Sequence, residues 1–122
     1  MAGLPAIPKQ AMDGVSFVAA LKGKPFKRKA IYWHFPRYSN HGLQSPGGAI
    51  RVGDYKLLDH FENNTVQLFN LSKDIGEQVD LAKVEPDKAA ELRSMLHAWR
   101  KDVAARMMPP NPEYLAPFDG NK

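Results

Sequence analysis

The stretch "AIRVGDYKLLDHFENNTVQLFNL", residues 49–71, decides the fold of this chain. Two turn signals divide it into the runs "AIRV", "YKLLDHF" and "VQLFNL". Gly53-Asp54 is a pair typical of tight hairpin turns. The second connection, "ENNT", contains two asparagines, which tolerate left-handed backbone conformations. The stretch therefore predicts an antiparallel meander of three strands.

A fourth strand is predicted upstream by "KAIYWHFP", residues 29–36, because the segment is rich in β-branched and aromatic residues. Pro36 cannot donate to a strand ladder, so the strand ends there or lies at an edge of the sheet. We expect Trp33 to be a core residue. Alternation divides the side chains between two faces, Ile31, Trp33 and Phe35 on one and Tyr32 and His34 on the other.

The last predicted element is a long helix beginning near Pro86, a residue suited to the first helical turn. His97 is expected to project from its exposed side. Apolar residues recur at helical spacing and form one stripe expected to lie on the sheet: Ala89, Leu92, Leu96, Trp99 and Val103. The predicted fold class is α+β, a four-stranded antiparallel sheet with one long C-terminal helix packed across it.

The composition restricts the kinds of site that the chain can contain. At 122 residues it is long enough for one domain with a modest core. It has no cysteine, which excludes disulfides, thiolate zinc sites and a cysteine nucleophile. No apolar run approaches the roughly 18 residues of a membrane span, so none is predicted. The N-terminal "MAGLPAIPKQ" does not have the pattern of a signal peptide.

The net charge of +4 is unevenly distributed. Residues 1–61 contain nine Lys and Arg against three Asp and Glu, and much of this excess comes from "KGKPFKRK", residues 22–29. Such a run can attract a polyanion such as nucleic acid or a sulfated glycan, or it can be a solvated connector. Nucleic acid is disfavoured as a partner, because no recognised binding motif accompanies the charge.

The polar loop "RYSNHGLQSPGG", residues 37–48, follows the first strand and is rich in hydrogen-bond donors. Its serines do not lie in a nucleophile-elbow pattern, and no carboxylate lies within it. The four histidines of the chain have no helical i, i+4 spacing, so neither a metal site nor a catalytic group is predicted. The candidate residues for holding an anionic or hydroxylated ligand are His34, Arg37, Tyr38, Asn40 and His41.

Several phrases together resemble the C-terminal part of the sulfatase family, most closely its bacterial arylsulfatase-type members. The phrases are "IYWHFPRYSNHG", residues 31–42, the hairpin "AIRVGDYKL", residues 49–57, and "LFNLSKDIGE", residues 68–77. The resemblance extends from about residue 2 to residue 118. It implies an α+β subdomain of the kind that the sequence pattern also predicts.

The resemblance implies that the catalytic machinery lies outside this chain. The family signature begins with a Cys or Ser that is oxidised to formylglycine, and no residue of this chain begins that pattern. Formylglycine and calcium are therefore expected in an absent N-terminal domain, and the chain alone is expected to be inactive. Residues 1–28 would be a connecting segment, residues 29–108 the subdomain and residues 109–122 a Pro-rich tail.

The resemblance also implies partners for the subdomain. It would pack on the catalytic domain of the same polypeptide, where the five loop candidates would touch the non-sulfate part of a carbohydrate or aryl sulfate ester. The parent protein would be periplasmic or secreted, with its signal peptide outside this chain. An isolated fragment would expose an apolar patch, at Trp33 or at "FVAAL", residues 17–21, and would self-associate. The alternative is an autonomous module that binds a sulfated glycan.

Overall fold

The computed structural model describes residues 14–25, 28–40, 42 and 44–109. The predicted α+β architecture is confirmed, with four strands and one long helix. The elements in chain order are α1 (Val18–Leu21), β1 (Ile31–Phe35), β2 (Gly47–Val52), β3 (Tyr55–His60), β4 (Thr65–Asn70) and α2 (Pro86–Asp102). Among the described residues, no helix has the length and apolar character needed to cross a membrane.

The four strands form one antiparallel sheet in the order β1-β2-β3-β4. Both predicted turns are present. Gly53 has φ +57° between β2 and β3, and Asn64 has φ 55° between β3 and β4. Since glycine and asparagine adopt this left-handed conformation more readily than most residues, the two turns hold the register of the meander.

The core lies between the sheet and α2. Ile50, Leu57 and Leu68 share one row of the sheet and are fully buried. Leu92 and Leu96 of α2 belong to the same buried cluster. Burial of a leucine side chain of this kind contributes roughly 1.5–3 kcal/mol, so this contact supplies most of the hydrophobic stabilisation.

Aromatic stacking extends this contact toward the edge strand. Tyr32 and Trp99 stack with ring centroids 4.7 Å apart and planes inclined by 3°. Trp99 thus packs on the sheet, which confirms its place in the predicted apolar stripe of α2. The prediction is wrong for Val103, because α2 ends at Asp102 and the Val103 side chain is 40% exposed.

The other face of the sheet is open along β1. Ile31, Trp33 and Phe35 are 36%, 48% and 37% exposed. The expectation that Trp33 is a core residue is therefore wrong. The reason is that α2 covers the face carrying Tyr32 and His34, whereas Trp33 points to the opposite face.

Candidate functional site

The loop between β1 and β2 is held by hydrogen bonds at both ends. The Ser39 amide donates to the carbonyl oxygen of Gln44 at 3.1 Å, and the Gln44 amide donates to Oγ of Ser39 at 3.3 Å. Pro46 is fully buried, and its carbonyl accepts the Phe61 amide at 3.1 Å. The loop is therefore closed on itself and attached to the end of β3.

Glu62 provides a second attachment for the loop. Oη of Tyr38 donates to Oε1 of Glu62 at 2.5 Å. The hydrogen bond from Tyr38, and then the nearby Ser45 hydroxyl, lower the pKa of Glu62, because both favour its charged form. Glu62 thus holds Tyr38 at the first end of the loop. Sequence reasoning missed Glu62, since it lies 24 residues from Tyr38.

The predicted ligand-holding residues fall into three groups. Arg37, Tyr38 and Asn40 are exposed on the loop. His34 instead lies on the helix side of β1, where its Nε2 is 2.8 Å from the carbonyl oxygen of Arg106. Because a carbonyl only accepts, Nε2 carries the proton in this arrangement. His41 lies outside the described residues.

Beneath the loop, the buried carboxylate of Asp59 is surrounded by cationic side chains. Asp59 is 2% exposed. Its Oδ2 accepts Nη2 of Arg100 at 2.7 Å, and its Oδ1 lies 3.1 Å from Nη2 of Arg93. Nε2 of His97 is 3.2 Å from Oδ2. His97 is half-exposed, but the expectation that it projects away from the sheet is wrong, because its ring reaches Asp59 of β3.

The environment of Asp59 keeps the carboxylate charged. Burial alone would raise its pKa, but the hydrogen bond from Arg100 and the charges of Arg100 and Arg93 outweigh burial, and the pKa of Asp59 is lowered. A carboxylate saturated in this way is not a general base. The cluster joins α2 to β3 at the end of the sheet from which the loop emerges.

Phe61 connects this cluster to the loop. The Arg100 guanidinium lies 4.6 Å from the centroid of the Phe61 ring, and the His34 ring lies 5.7 Å from it. The backbone of Phe61 holds Pro46 at the end of the loop, as described above. The described residues contain no group of three or more His, Asp or Glu that could hold a metal ion. Phe61 thus lies between the Asp59 cluster and the base of the loop.

The face of the sheet opposite α2 exposes Ile31, Trp33 and Phe35 of β1, and we call it the open face. A cavity of about 390 Å³ lies between the loop and the open face. Trp33, Phe35 and Leu58 supply apolar walls, and Gln44 and Ser45 of the loop supply polar ones. The loop and the open face therefore share one depression in the surface.

Comparisons with known proteins agree with this architecture. Residues 1–105 match the family model described as N-sulphoglucosamine sulphohydrolase, C-terminal. A sulfatase of Formosa agariphila is 33% identical over 111 residues, which cover 80% of this chain and 20% of that protein. A Delta 4,5-hexuronate-2-O-sulfatase of Bacteroides thetaiotaomicron is 32% identical over 87 residues, covering 68% of this chain and 17% of that protein. The chain thus spans about a fifth of the length of these relatives.

Solved structures show the same fold. The structure of a protein from Bacteroides thetaiotaomicron, described as a sulfatase, matches with a TM-score of 0.68 and 24% identity, covering 88% of this chain and 24% of that one. A 2-O GAG sulfatase matches with the same TM-score and coverage at 23% identity. These likenesses establish the shared fold. Because the family model matches most of its residues, this chain belongs to the family described as N-sulphoglucosamine sulphohydrolase, C-terminal.

Proposed function

We propose that this chain is a non-catalytic subdomain that packs on the catalytic domain and lines part of the substrate pocket with the loop between β1 and β2. The observation that carries the proposal is the attachment of this loop at both ends, by the bond from Tyr38 to Glu62 and by the bond from the Phe61 amide to the Pro46 carbonyl. A loop held in this way can present donors to a ligand with little further loss of conformational entropy. The proposed substrate contacts are Arg37, Tyr38, Asn40 and His41, because His34 is bonded to the Arg106 carbonyl on the helix side of β1.

The proposed substrate is a sulfated carbohydrate. The support comes from relatives whose names specify a hexuronate-2-O-sulfatase and a 2-O GAG sulfatase. Exposed Arg37 suits this class, because a guanidinium fork matches carboxylate and sulfate oxygens. We further propose that the parent enzyme is periplasmic or secreted, as such substrates would require.

Sulfate-ester hydrolysis itself is assigned to the catalytic domain, with the formylglycine and calcium ion that the family resemblance implies. This chain contains no cysteine, and its serines do not begin the signature. The 122-residue chain, given an aryl sulfate or a sulfated disaccharide, should therefore show no turnover above background. Measurable turnover would contradict the assignment.

The role of the loop is tested by Arg37→Ala in the full-length polypeptide. Loss of a charge-assisted hydrogen bond costs about 1.5–3 kcal/mol, which lowers kcat/KM by roughly tenfold or more. The fall is expected to be larger with a sulfated oligosaccharide, whose further carboxylate and sulfate groups match a guanidinium, than with an aryl sulfate that carries no second anionic group. Lys101→Ala removes an exposed cation of α2 and is the matched control. Unchanged kcat/KM for the oligosaccharide would refute the proposed role.

A second candidate function is binding of a sulfated glycan by the basic run 22–29. Its described cations, Lys22, Lys24, Arg28 and Lys29, are all exposed. Retention on heparin with a steep dependence on salt, lost when these four residues are replaced by Gln, would favour this function. Weak retention that the replacements leave unchanged would exclude it.

A further inference from the structure

The two ends of the loop between β1 and β2 come together at Phe61, the residue that follows β3. The ring of His34, near the end of β1, has its centroid 5.7 Å from that of Phe61. Pro46, immediately before β2, accepts the Phe61 amide at its carbonyl oxygen at 3.1 Å. Because one residue contacts the chain on both sides of the loop, its position sets the distance between the loop's two ends.

Arg100 of α2 covers Phe61 from the helix side. Its guanidinium lies 4.6 Å from the centroid of the Phe61 ring, within the range of a cation–π contact. Nη2 of Arg100 also lies against Gly48 of β2, which has no side chain to keep it away. The Arg100 side chain is 12% exposed. The guanidinium therefore touches both the residue that joins the ends of the loop and the strand into which the loop runs.

Asp59 fixes the guanidinium of Arg100 in this place. Its Oδ2 accepts Nη2 of Arg100 at 2.7 Å, and its Oδ1 lies 3.1 Å from Nη2 of Arg93. Arg93 also donates to Oδ1 of Asn64, in the turn between β3 and β4. Arg100, in contrast, lies over the Phe61 ring. The two arginines thus share one counter-charge but contact different parts of the fold.

We propose that Arg100 is a positioning residue for the loop between β1 and β2. Through the Phe61 ring it fixes the two ends of the loop, and with them the exposed side chain of Arg37. A guanidinium suits this role, because its plane can stack on an aromatic ring while its edge donates to a carboxylate, whereas an ammonium is a point charge. Arg100 is buried beneath the loop, so it supports substrate binding without touching the substrate.

This inference rests on the proposed function, in which Arg37 contacts a sulfated carbohydrate. A loop whose ends are fixed loses less conformational freedom when it binds a ligand. A contact with the non-sulfate part of the substrate is made alike in the bound substrate and in the transition state. Loosening the loop should therefore raise KM and leave kcat nearly unchanged.

Hydrogen–deuterium exchange of the full-length polypeptide, followed by mass spectrometry, tests the positioning directly. Arg100→Lys keeps a positive charge beside Asp59 but removes the stacked guanidinium. The peptide covering residues 37–48 should then exchange roughly fivefold faster, a factor that corresponds to loss of one cation–π contact. Arg93→Lys makes the same change on the same carboxylate and is the matched control, so it should leave this peptide unchanged. Equal acceleration in both variants, or none in Arg100→Lys, would overturn the proposal.

Phe61→Leu provides a second route to the same readout. It removes the ring but keeps the backbone bond to Pro46, and it should also accelerate exchange of the 37–48 peptide. If Arg100 acts through the ring, Arg100→Lys should add little further acceleration in the Phe61→Leu background. Fully additive effects of the two substitutions would contradict the route through Phe61.

Kinetics of the full-length polypeptide with a sulfated oligosaccharide separate positioning from a general loss of structure. Arg100→Lys should raise KM roughly threefold to fivefold with little change in kcat, whereas Arg93→Lys should change neither. A fall in kcat in both variants would overturn the proposal. An unchanged KM in Arg100→Lys beside a strong effect of Arg37→Ala would refute positioning and leave the proposed function standing. No effect of Arg37→Ala would refute the proposed function, while faster exchange confined to Arg100→Lys would still support positioning of the loop.

Discussion

Arg100 occupies space that exists only because residue 48 is glycine. A Cβ built on Gly48 would lie 2.6 Å from Nη2 of Arg100 and 3.1 Å from the carbonyl oxygen of Trp33. The same Nη2 donates to Asp59 at 2.7 Å. The missing side chain thus allows a cation from α2 to cross β2 and reach a buried carboxylate on β3.

Gly48→Ala should therefore destabilise the chain. The guanidinium would have to move, which weakens its bond to Asp59, and overpacking of this kind costs about 1–3 kcal/mol. Urea denaturation monitored by circular dichroism measures the free energy of unfolding. Gly14→Ala is the matched control, since nothing lies within 4 Å of a Cβ at that position.

Arg100→Ala tests whether the contact with Arg100, and not a general backbone effect, causes the destabilisation expected for Gly48→Ala. If the clash with Arg100 is responsible, Gly48→Ala should cost less in the Arg100→Ala background than in the wild type, a coupling expected of residues in contact. An equal cost in both backgrounds would show that the contact with the Trp33 carbonyl, and not Arg100, makes the glycine necessary.

Asp59 should make the stability of the chain dependent on acidic pH. Its native pKa lies below the usual value of 3.8, so the unfolded chain binds a proton at this group more readily than the native one. The stabilisation is fully present above pH 3.8 and is lost as the pH falls through the native pKa. Unfolding measured between about pH 5 and pH 2 should show this loss.

Asp59→Asn tests the assignment. It should lower stability by about 3 kcal/mol at neutral pH, because Arg93 and Arg100 lose their counter-charge, and it should flatten the acid dependence. Glu62 and Asp74, whose pKa values are also lowered, retain their contributions in this variant. Asp54→Asn, in the exposed turn after β2, should leave both stability and slope unchanged. An acid slope as steep in Asp59→Asn as in the wild type would assign the dependence to other groups.

The fold was predictable where the signals are local. Gly53-Asp54 specifies a turn from two adjacent residues, and Pro86 with the stripe that follows specifies the start of a helix and its buried side. The Asp59–Arg100 pair was not predictable, because 41 residues separate its members and only the packing of α2 brings them together. Glu62 was missed for the same reason.

Trp33 shows a different limit of prediction from the sequence. Alternation correctly grouped it with Ile31 and Phe35, since the two-residue period of a strand fixes which side chains share a face. The period does not say which face the helix covers. The larger side chains suggested the core face, whereas the helix covers Tyr32 and His34. The error arises because β1 carries aromatic side chains on both faces, Tyr32 on one and Trp33 and Phe35 on the other.

Glu62→Gln should loosen the loop while leaving the sheet intact. The amide side chain has no charge and offers a single carbonyl oxygen to the hydroxyls of Tyr38 and Ser45. The backbone amides of Ser39 and Gln44, both hydrogen-bonded within the loop, should then exchange with deuterium faster. Amide exchange followed by NMR measures this directly. Glu77→Gln, which removes the partner of Lys56, should leave these amides unchanged, and equal exchange in wild type and Glu62→Gln would remove Glu62 from the loop's support.

The 122-residue chain should self-associate through the open face. Contiguous apolar surface that lacks its partner is a site of association, and Trp33 with Ile31 and Phe35 supplies such surface along an edge strand. Sedimentation velocity should show a weight-average mass that rises with concentration, and Trp33→Lys should suppress the rise. Val84→Lys, which charges an exposed apolar position elsewhere, should not. A chain that stays monomeric at high concentration would refute the prediction, and association that survives Trp33→Lys would mean that another surface mediates it.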